Sequence, residues 1–326
     1  MDLILNTFGT SLNKDNEAFV IHHKDGKQRI PPDGIKSIQI SRGAQITSDA
    51  VIFAIEKEIE ILFLDNAGNP IGRVWSSKYG SVSTIRKGQL EFTFSKEAVS
   101  WIKEIICQKI ENQQAMLLTF KTENSLQSEG VKKSVQRLED YRMKIKNLSG
   151  DIIPDIAATI RGWEGLSSKI YFNTLNLFIP DIYKFKERSQ HPAYDVVNAM
   201  LNYGYGLLYG KIEGILIKSG IDPYIGILHR DDYNRPVLVY DIIEKYRIWV
   251  DYIVYSLVAQ EVVTTELYSV KEDGSYWLEG LGRRIIIQSL NDYLDEQITV
   301  RGVPRTRYNH IALFAQELAQ TFKTFA

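Results

Sequence analysis

Ser95-Lys96-Glu97-Ala98-Val99-Ser100-Trp101-Ile102-Lys103-Glu104-Ile105-Ile106 is where the chain changes character. Val99, Ile102, Ile106, Ile110 and, further on, Ala115 recur at the spacing of one helix face, and Ser95 is a residue type that caps helices. From here to Ala326 proline and glycine are sparse, and long helical patterns dominate. Upstream the pattern is different. Leu3-Ile4-Leu5, Ala18-Phe19-Val20-Ile21-His22, Ile35-Lys36-Ser37-Ile38-Gln39-Ile40 and Glu60-Ile61-Leu62-Phe63-Leu64 are short β-rich runs. Asp25-Gly26, Pro31-Pro32-Asp33-Gly34 and Asn66-Ala67-Gly68-Asn69-Pro70 punctuate them as turns, and Thr47-Ser48-Asp49 offers a cap for a short helix through Ala50, Val51, Ala54 and Ile55. The fold class that follows is α+β. A small β-rich domain spans residues 1–75, a linker residues 76–94, and a larger all-helical domain residues 95–326. Within the latter, residues 124–130 read as a loop, because Asn124, Ser125, Ser128 and Gly130 crowd together there.

Composition narrows the function class. The 326 residues are 44 % hydrophobic and 24 % charged, the balance of a globular protein rather than a disordered one. A net charge of −1 excludes a protein that holds nucleic acid by bulk charge, though not one with a local basic groove. A single cysteine, Cys107, excludes an intrachain disulfide and any paired-cysteine zinc or redox site. No apolar run is long enough to cross a bilayer, and Asp2 stands where a secretory signal would carry basic residues. The expected location is cytoplasmic, with no membrane partner.

Three places in the helical region carry possible chemistry. In Arg161-Gly162-Trp163-Glu164-Gly165, Glu164 is set among aromatic and apolar residues; taken alone it also reads as an ordinary exposed helix glutamate. In Ile221-Asp222-Pro223-Tyr224-Ile225-Gly226-Ile227-Leu228-His229, a turn leads to a histidine that reads equally as a packed structural residue. In the third, Pro236 suits the first turn of a helix, on which Asp241 and Glu244 stand three apart, with Arg247 next on the same face. Arg247 there either neutralises Glu244 or faces a ligand. One histidine and several carboxylates, without cysteine, form a hard oxygen set with one nitrogen, which suits Mg²⁺ or Mn²⁺.

The run Asn198-Ala199-Met200-Leu201-Asn202-Tyr203-Gly204-Tyr205-Gly206-Leu207-Leu208-Tyr209, followed by Gly220 to His229 and by Asp241-Ile242-Ile243-Glu244-Lys245-Tyr246-Arg247, resembles the CRISPR-associated integrase of spacer acquisition, a metal-dependent DNA endonuclease. Glu164-Gly165 with Tyr171-Phe172 fits the same pattern upstream; Ile248 and Ser167 depart from it, where proline and alanine are common. The resemblance implies metal ligation by Glu164, His229 and Glu244, with Asp241 as an accessory catalytic acid and Arg247 towards DNA phosphate. It implies insertion of short DNA fragments into a repeat array by phosphodiester transesterification. It also implies a homodimer, with the N-terminal domain as the expected contact, and a small second subunit. Double-stranded DNA is the expected substrate. Lys132, Lys133, Arg137 and Arg142, with Lys144 and Lys146, form a basic run broken by two acids, Glu139 and Asp140, and Arg301, Arg305 and Arg307 form another; both are candidate phosphate contacts. A structure-selective nuclease acting on branched DNA in repair, using the same ligands with water as nucleophile, is the alternative. A non-catalytic DNA-binding scaffold is a third reading.

Overall fold

A computed structural model of the chain describes residues 2–24, 26–65, 70–74, 82–122, 124–229, 235–300 and 302–326. The chain divides into two compact units, residues 1–80 and 81–326. Residues 66–69 of the turn expected at 66–70, residues 76–81 of the expected linker, Asp25 and the basic Arg301 lie outside the described residues.

The first unit is built on two four-stranded sheets. Its elements are β1 (Asp2–Leu5), β2 (Ser11–Asp15), β3 (Ala18–His23), β4 (Gly26–Ile30), β5 (Ser37–Ser41), β6 (Gln45–Ile46), α1 (Ser48–Glu56), β7 (Glu60–Leu64) and β8 (Pro70–Val74). The four runs read as strands are β1, β3, β5 and β7. One sheet has the order β1-β5-β7-β8, with β1, β5 and β7 parallel; the other runs β4-β3-β2-β6. β2 and β4 escape a hydrophobic reading because their side chains are mostly polar and β4 is exposed along most of its length. Pairing with β3 in an antiparallel ladder makes them strands, not their own burial. Thr47 caps α1 as its sequence suggests, accepting from the Ala50 amide. Leu5, Leu12, Phe19, Ile38, Phe53 and Ile61 fill the core of this unit, with the Phe19 and Phe53 rings 5.0 Å apart.

The second unit is mainly helical. It contains α2 (Val82–Phe92), α3 (Lys96–Thr119), α4 (Ser125–Lys146), α5 (Ile153–Leu175), α6 (Val196–Lys218), α7 (Val237–Ile243), α8 (Arg247–Ala259), α9 (Gly280–Asp295) and α10 (Arg307–Lys323). Two short hairpins interrupt these helices. One pairs β9 (Tyr268–Val270) with β10 (Tyr276–Leu278), the other β11 (Gln297–Val300) with β12 (Val303–Thr306). Ser95 caps α3, and Val99, Ile102, Ile106 and Ile110 are buried along it. Ala115 faces outward instead, and the buried stripe continues through Gln113, Met116 and Leu117.

Three local readings are corrected. Residues 124–130 are not a loop: Asn124 accepts from the Gln127 amide and opens α4, whose buried positions Val131, Leu138 and Ile145 recur only every seventh residue. So thin a stripe leaves no clear amphipathic signal at the start of the helix. Asp241, Glu244 and Arg247 do not share one helix, because the chain turns at residues 244–246 between α7 and α8. The stretch read as a linker holds α2, which packs on α10 so closely that a Cβ on Gly88 would lie 1.8 Å from the Phe322 carbonyl oxygen.

α2 also matters for what it holds. Gln89 is fully buried; its amide donates to the Asp222 and Ile225 carbonyls at 2.7 and 3.0 Å and its oxygen accepts from the Asp222 amide at 3.0 Å. One side chain thus clamps the segment that leads to His229. Gln89→Leu should strand these three backbone groups and lower the stability of this unit by about 2–4 kcal/mol. The urea midpoint reads this directly, and an unchanged midpoint would mean the clamp carries no stability.

Candidate metal centre

The three segments singled out in the sequence meet on one cavity of about 670 Å³ within the second unit, lined by Glu164, His229 and Glu244. α5 presents Glu164 from its middle. Asp155 anchors the start of that helix, accepting from the Asp151 and Ile152 amides. Glu164 is therefore not on the outer surface: its side chain is 27 % exposed, within the cavity, and accepts from the Ser168 hydroxyl at 3.0 Å. Glu244 follows the end of α7 and is 9 % exposed.

His229 ends the loop that Gln89 clamps. Gly226 is required there by close approach, since a Cβ would lie 2.1 Å from the His229 carbonyl oxygen and 2.8 Å from Val237. Asp241 is buried beneath the loop and accepts from the amides of Ile227 (2.7 Å), Leu228 (3.1 Å) and His229 (3.2 Å). Its Oδ1 also meets His229 Nδ1 at 2.7 Å. Every lone pair of Asp241 is thus engaged within the protein. These contacts fix the position of the His229 ring and leave Nε2 as the ring nitrogen not engaged by Asp241, the arrangement in which a carboxylate orients a ligating imidazole. Burial alone would lower the His229 pKa, but the hydrogen bond and charge of Asp241, with Glu244 nearby, raise it above its ordinary value.

A cation absent from the sequence reading stands at the centre. Lys109 of α3 is almost fully buried, and its ammonium lies against Glu164 Oε1 and Glu244 Oε2 together. Arg247 Nε is 2.9 Å from Glu244 Oε1, and its guanidinium lies over the Tyr205 ring at 5.0 Å. Burial would raise the Glu244 pKa, yet Arg247 and Lys109 hold it below the usual carboxylate range. Of the two readings of Arg247, neutralisation of Glu244 is the contact present. Lys169, Lys186 and Arg188 also line the cavity, and Arg188 is held by Asn198 and Asn202, one turn apart on α6.

The other basic candidates are elsewhere. Lys132, Lys133 and Arg137 face solvent on α4, with Lys133 paired to Glu129 at 3.0 Å. Arg142 is engaged by Glu139 (2.6 Å) and Glu111 (2.8 Å). Arg307 pairs with Glu296 at 2.5 Å and covers the Tyr293 ring. None of them lines the cavity.

Beside the carboxylates, Asp251 of α8 is buried with the Tyr205 hydroxyl on its Oδ1 and Tyr171 close by. Burial raises its pKa from 3.8 to about 6, against the opposing pull of both tyrosines, Arg188 and Arg247. A carboxyl raised in this way contributes stability that is full below its ordinary pKa and is lost as pH rises through about 6. The loss corresponds to about 3 kcal/mol between pH 4 and pH 7. Asp251→Asn should therefore gain on the wild-type protein by about that amount across this range, read as the difference in melting temperature. A pH-independent difference would exclude the titration.

Chemically, the donor set fits a hard divalent cation: two carboxylates and one oriented imidazole. Glu244 Oε2 is buried with the Lys109 ammonium as its partner. Among the described residues, however, no three His, Cys, Asp or Glu side chains already close on one point. Lys109 occupies the space between the carboxylates.

A family model described as CRISPR associated protein Cas1 matches residues 3–292. The chain belongs to the Cas1 family. A relative from Archaeoglobus fulgidus, named CRISPR-associated endonuclease Cas1 1, is 30 % identical over 98 % of this chain and 95 % of that protein. A Cas1 endonuclease of Francisella tularensis subsp. novicida is 28 % identical over 82 % of this chain and 83 % of that protein. Among solved structures, a Cas1 protein from Thermotoga maritima has a TM-score of 0.80 at 18 % identity, covering 99 % of this chain and 97 % of that one. A casposase bound to integration product reaches 0.83 at 22 % identity, covering 99 % and 90 %. These two structures share the Cas1 fold. No helix among the described residues is long and apolar enough to cross a membrane.

Proposed function

We propose that this chain is the catalytic subunit of CRISPR adaptation, an integrase and endonuclease that joins short DNA fragments to the repeat array. One observation carries the reading: in a Cas1 family chain, Glu164, His229 and Glu244, from three separate segments, line one cavity. The naming of the Archaeoglobus fulgidus relative as an endonuclease supports it. In the reaction, the 3′-hydroxyl oxygen of the fragment forms a bond to a phosphorus of the repeat, and the bond from that phosphorus to the departing 3′-oxygen breaks. The departing oxygen gains a proton as the attacking hydroxyl loses one, and the number of phosphodiester bonds is unchanged.

Glu164, His229 and Glu244 would hold Mg²⁺ or Mn²⁺, which when bound neutralises charge at phosphorus and stabilises the departing oxygen. The remaining work belongs to the chain's own residues. Asp241 fixes the imidazole, and Gln89 fixes the loop that carries it. Lys169, Lys186 and Arg188, on the same cavity, would draw the DNA backbone towards an otherwise carboxylate-rich site. Lys132, Lys133 and Arg137 on α4 would add sequence-independent contacts further away. Two fragment ends require two active sites, so the working assembly is a homodimer joined through the N-terminal domain, with a small second subunit bridging dimers.

The test is a fragment whose 3′ end is a dideoxynucleotide. It should bind as well as its hydroxyl counterpart and give no joined product. Joining of the blocked fragment would overturn the mechanism. Shortened strands without any joined product, from a fragment with a free 3′-hydroxyl, would favour the branched-DNA nuclease instead.

A further inference from the structure

We infer that Lys109 is a built-in counter-cation whose place between Glu164 and Glu244 a divalent metal takes, and that Gln113 receives the displaced ammonium. The inference rests on the proposed metal site and extends it to a residue outside the ligand set. Two independent observations support it.

The first is charge and position. The Lys109 ammonium touches both carboxylates and is 9 % exposed, too buried for water to replace either partner. Glu164 and Glu244 contribute two negative charges; Lys109 and Arg247 contribute two positive ones. Without metal the group is balanced, which is how a site of low dielectric tolerates two neighbouring carboxylates. A divalent ion would need the same two oxygens. It cannot share the space with an ammonium, because like charges in contact within a buried site repel strongly. The ammonium must therefore move when metal enters. The surplus positive charge then remains in the cavity, where a phosphodiester undergoing attack gains negative charge.

The second is an acceptor with nothing to accept. Gln113 follows Lys109 by one turn on the same face of α3 and lines the same cavity. It is 4 % exposed, and its Oε1 is buried without a hydrogen-bond partner. A buried carbonyl oxygen left unpaired is unfavourable and rare in a native protein. At i+4 from Lys109 it lies within reach of the flexible side chain.

The experiment is a calorimetric titration of Mn²⁺ into the full chain at fixed pH, with the melting temperature of the metal-free protein beside it. Lys109→Met should bind Mn²⁺ about ten-fold or more tightly than wild type, since nothing has to be displaced. The same variant without metal should melt roughly 5–15 °C lower, because the buried Glu244 and the partly exposed Glu164 lose their shared partner. Gln113→Leu should weaken Mn²⁺ binding several-fold with no loss of metal-free stability. In the Lys109→Met background it should change nothing, since the two substitutions act on one event. Should Lys109→Met fail to fold, ¹⁵N spectra of the wild-type lysine ammonium groups decide: Mg²⁺ should move a protected signal that Lys109→Arg removes. Equal Mn²⁺ affinity in wild type and Lys109→Met, or an unmoved signal, overturns the counter-cation while leaving the metal site standing, provided His229→Ala abolishes uptake. No Mn²⁺ uptake by wild type or by any variant overturns the metal site as well.

Discussion

His229→Ala is expected to reduce both DNA joining and cutting by at least about 10²–10³-fold, the scale on which loss of one group stabilising transition-state charge is felt. The protein should stay folded. The imidazole is 37 % exposed, and its removal leaves Asp241 still accepting from three loop amides. Glu164→Ala and Glu244→Ala should lose activity to the same degree but differ in stability. Each removes one partner of the buried Lys109 ammonium, so each should melt lower than His229→Ala. Joining and nicking assays on a repeat-containing plasmid, run beside thermal melts, separate the two effects. Near wild-type joining by His229→Ala would mean that the site is wrongly assigned.

Asp241→Ala is expected to have the larger structural effect. Asp241 is fully buried, and without it the amides of Ile227, Leu228 and His229 lose their acceptor. Stranding these donors should lower stability by about 3–5 kcal/mol, which for a unit of this size corresponds to roughly 6–15 °C in melting temperature. Activity should fall further than folding alone explains, since the imidazole loses the group that orients it; substitutions of such partners typically cost about 10–100-fold. Asp241→Asn keeps one carbonyl oxygen and should fall between. A melt of Asp241→Ala within about 2 °C of wild type would show that the loop is held by other contacts.

The helical half was legible where apolar side chains repeat densely. Val99, Ile102, Ile106 and Ile110 mark α3 because these buried apolar residues recur at helical spacing within twelve positions. α4 was only partly legible, because its three buried residues are seven apart and Leu126, the one apolar residue before Val131, is exposed. β2 and β4 were invisible for a related reason: their strand state comes from backbone pairing to β3. α2 was missed because its burial is polar as well as apolar. Gln89 and Gly88 are buried by contacts with segments more than a hundred residues away, to which no local pattern corresponds.

The candidate site divides along the same line. Residue type and motif order in the sequence singled out Glu164, His229, Asp241 and Glu244, because ligating chemistry is carried by side chains and their identities are readable one by one. Tertiary structure alone decided where each of them stands and what it touches. Loop amides surround Asp241, whereas Lys109 and Arg247 hold Glu244, which makes one carboxylate a fastener and leaves the other facing the cavity. Lys109 and Gln113 stand in the buried stripe of α3, where they read as interruptions of an apolar face. They become part of the site only because α5 and the turn after α7 bring Glu164 and Glu244 against that face. A buried ammonium is stable only with its carboxylates in place, and those lie 55 and 135 residues further along the chain.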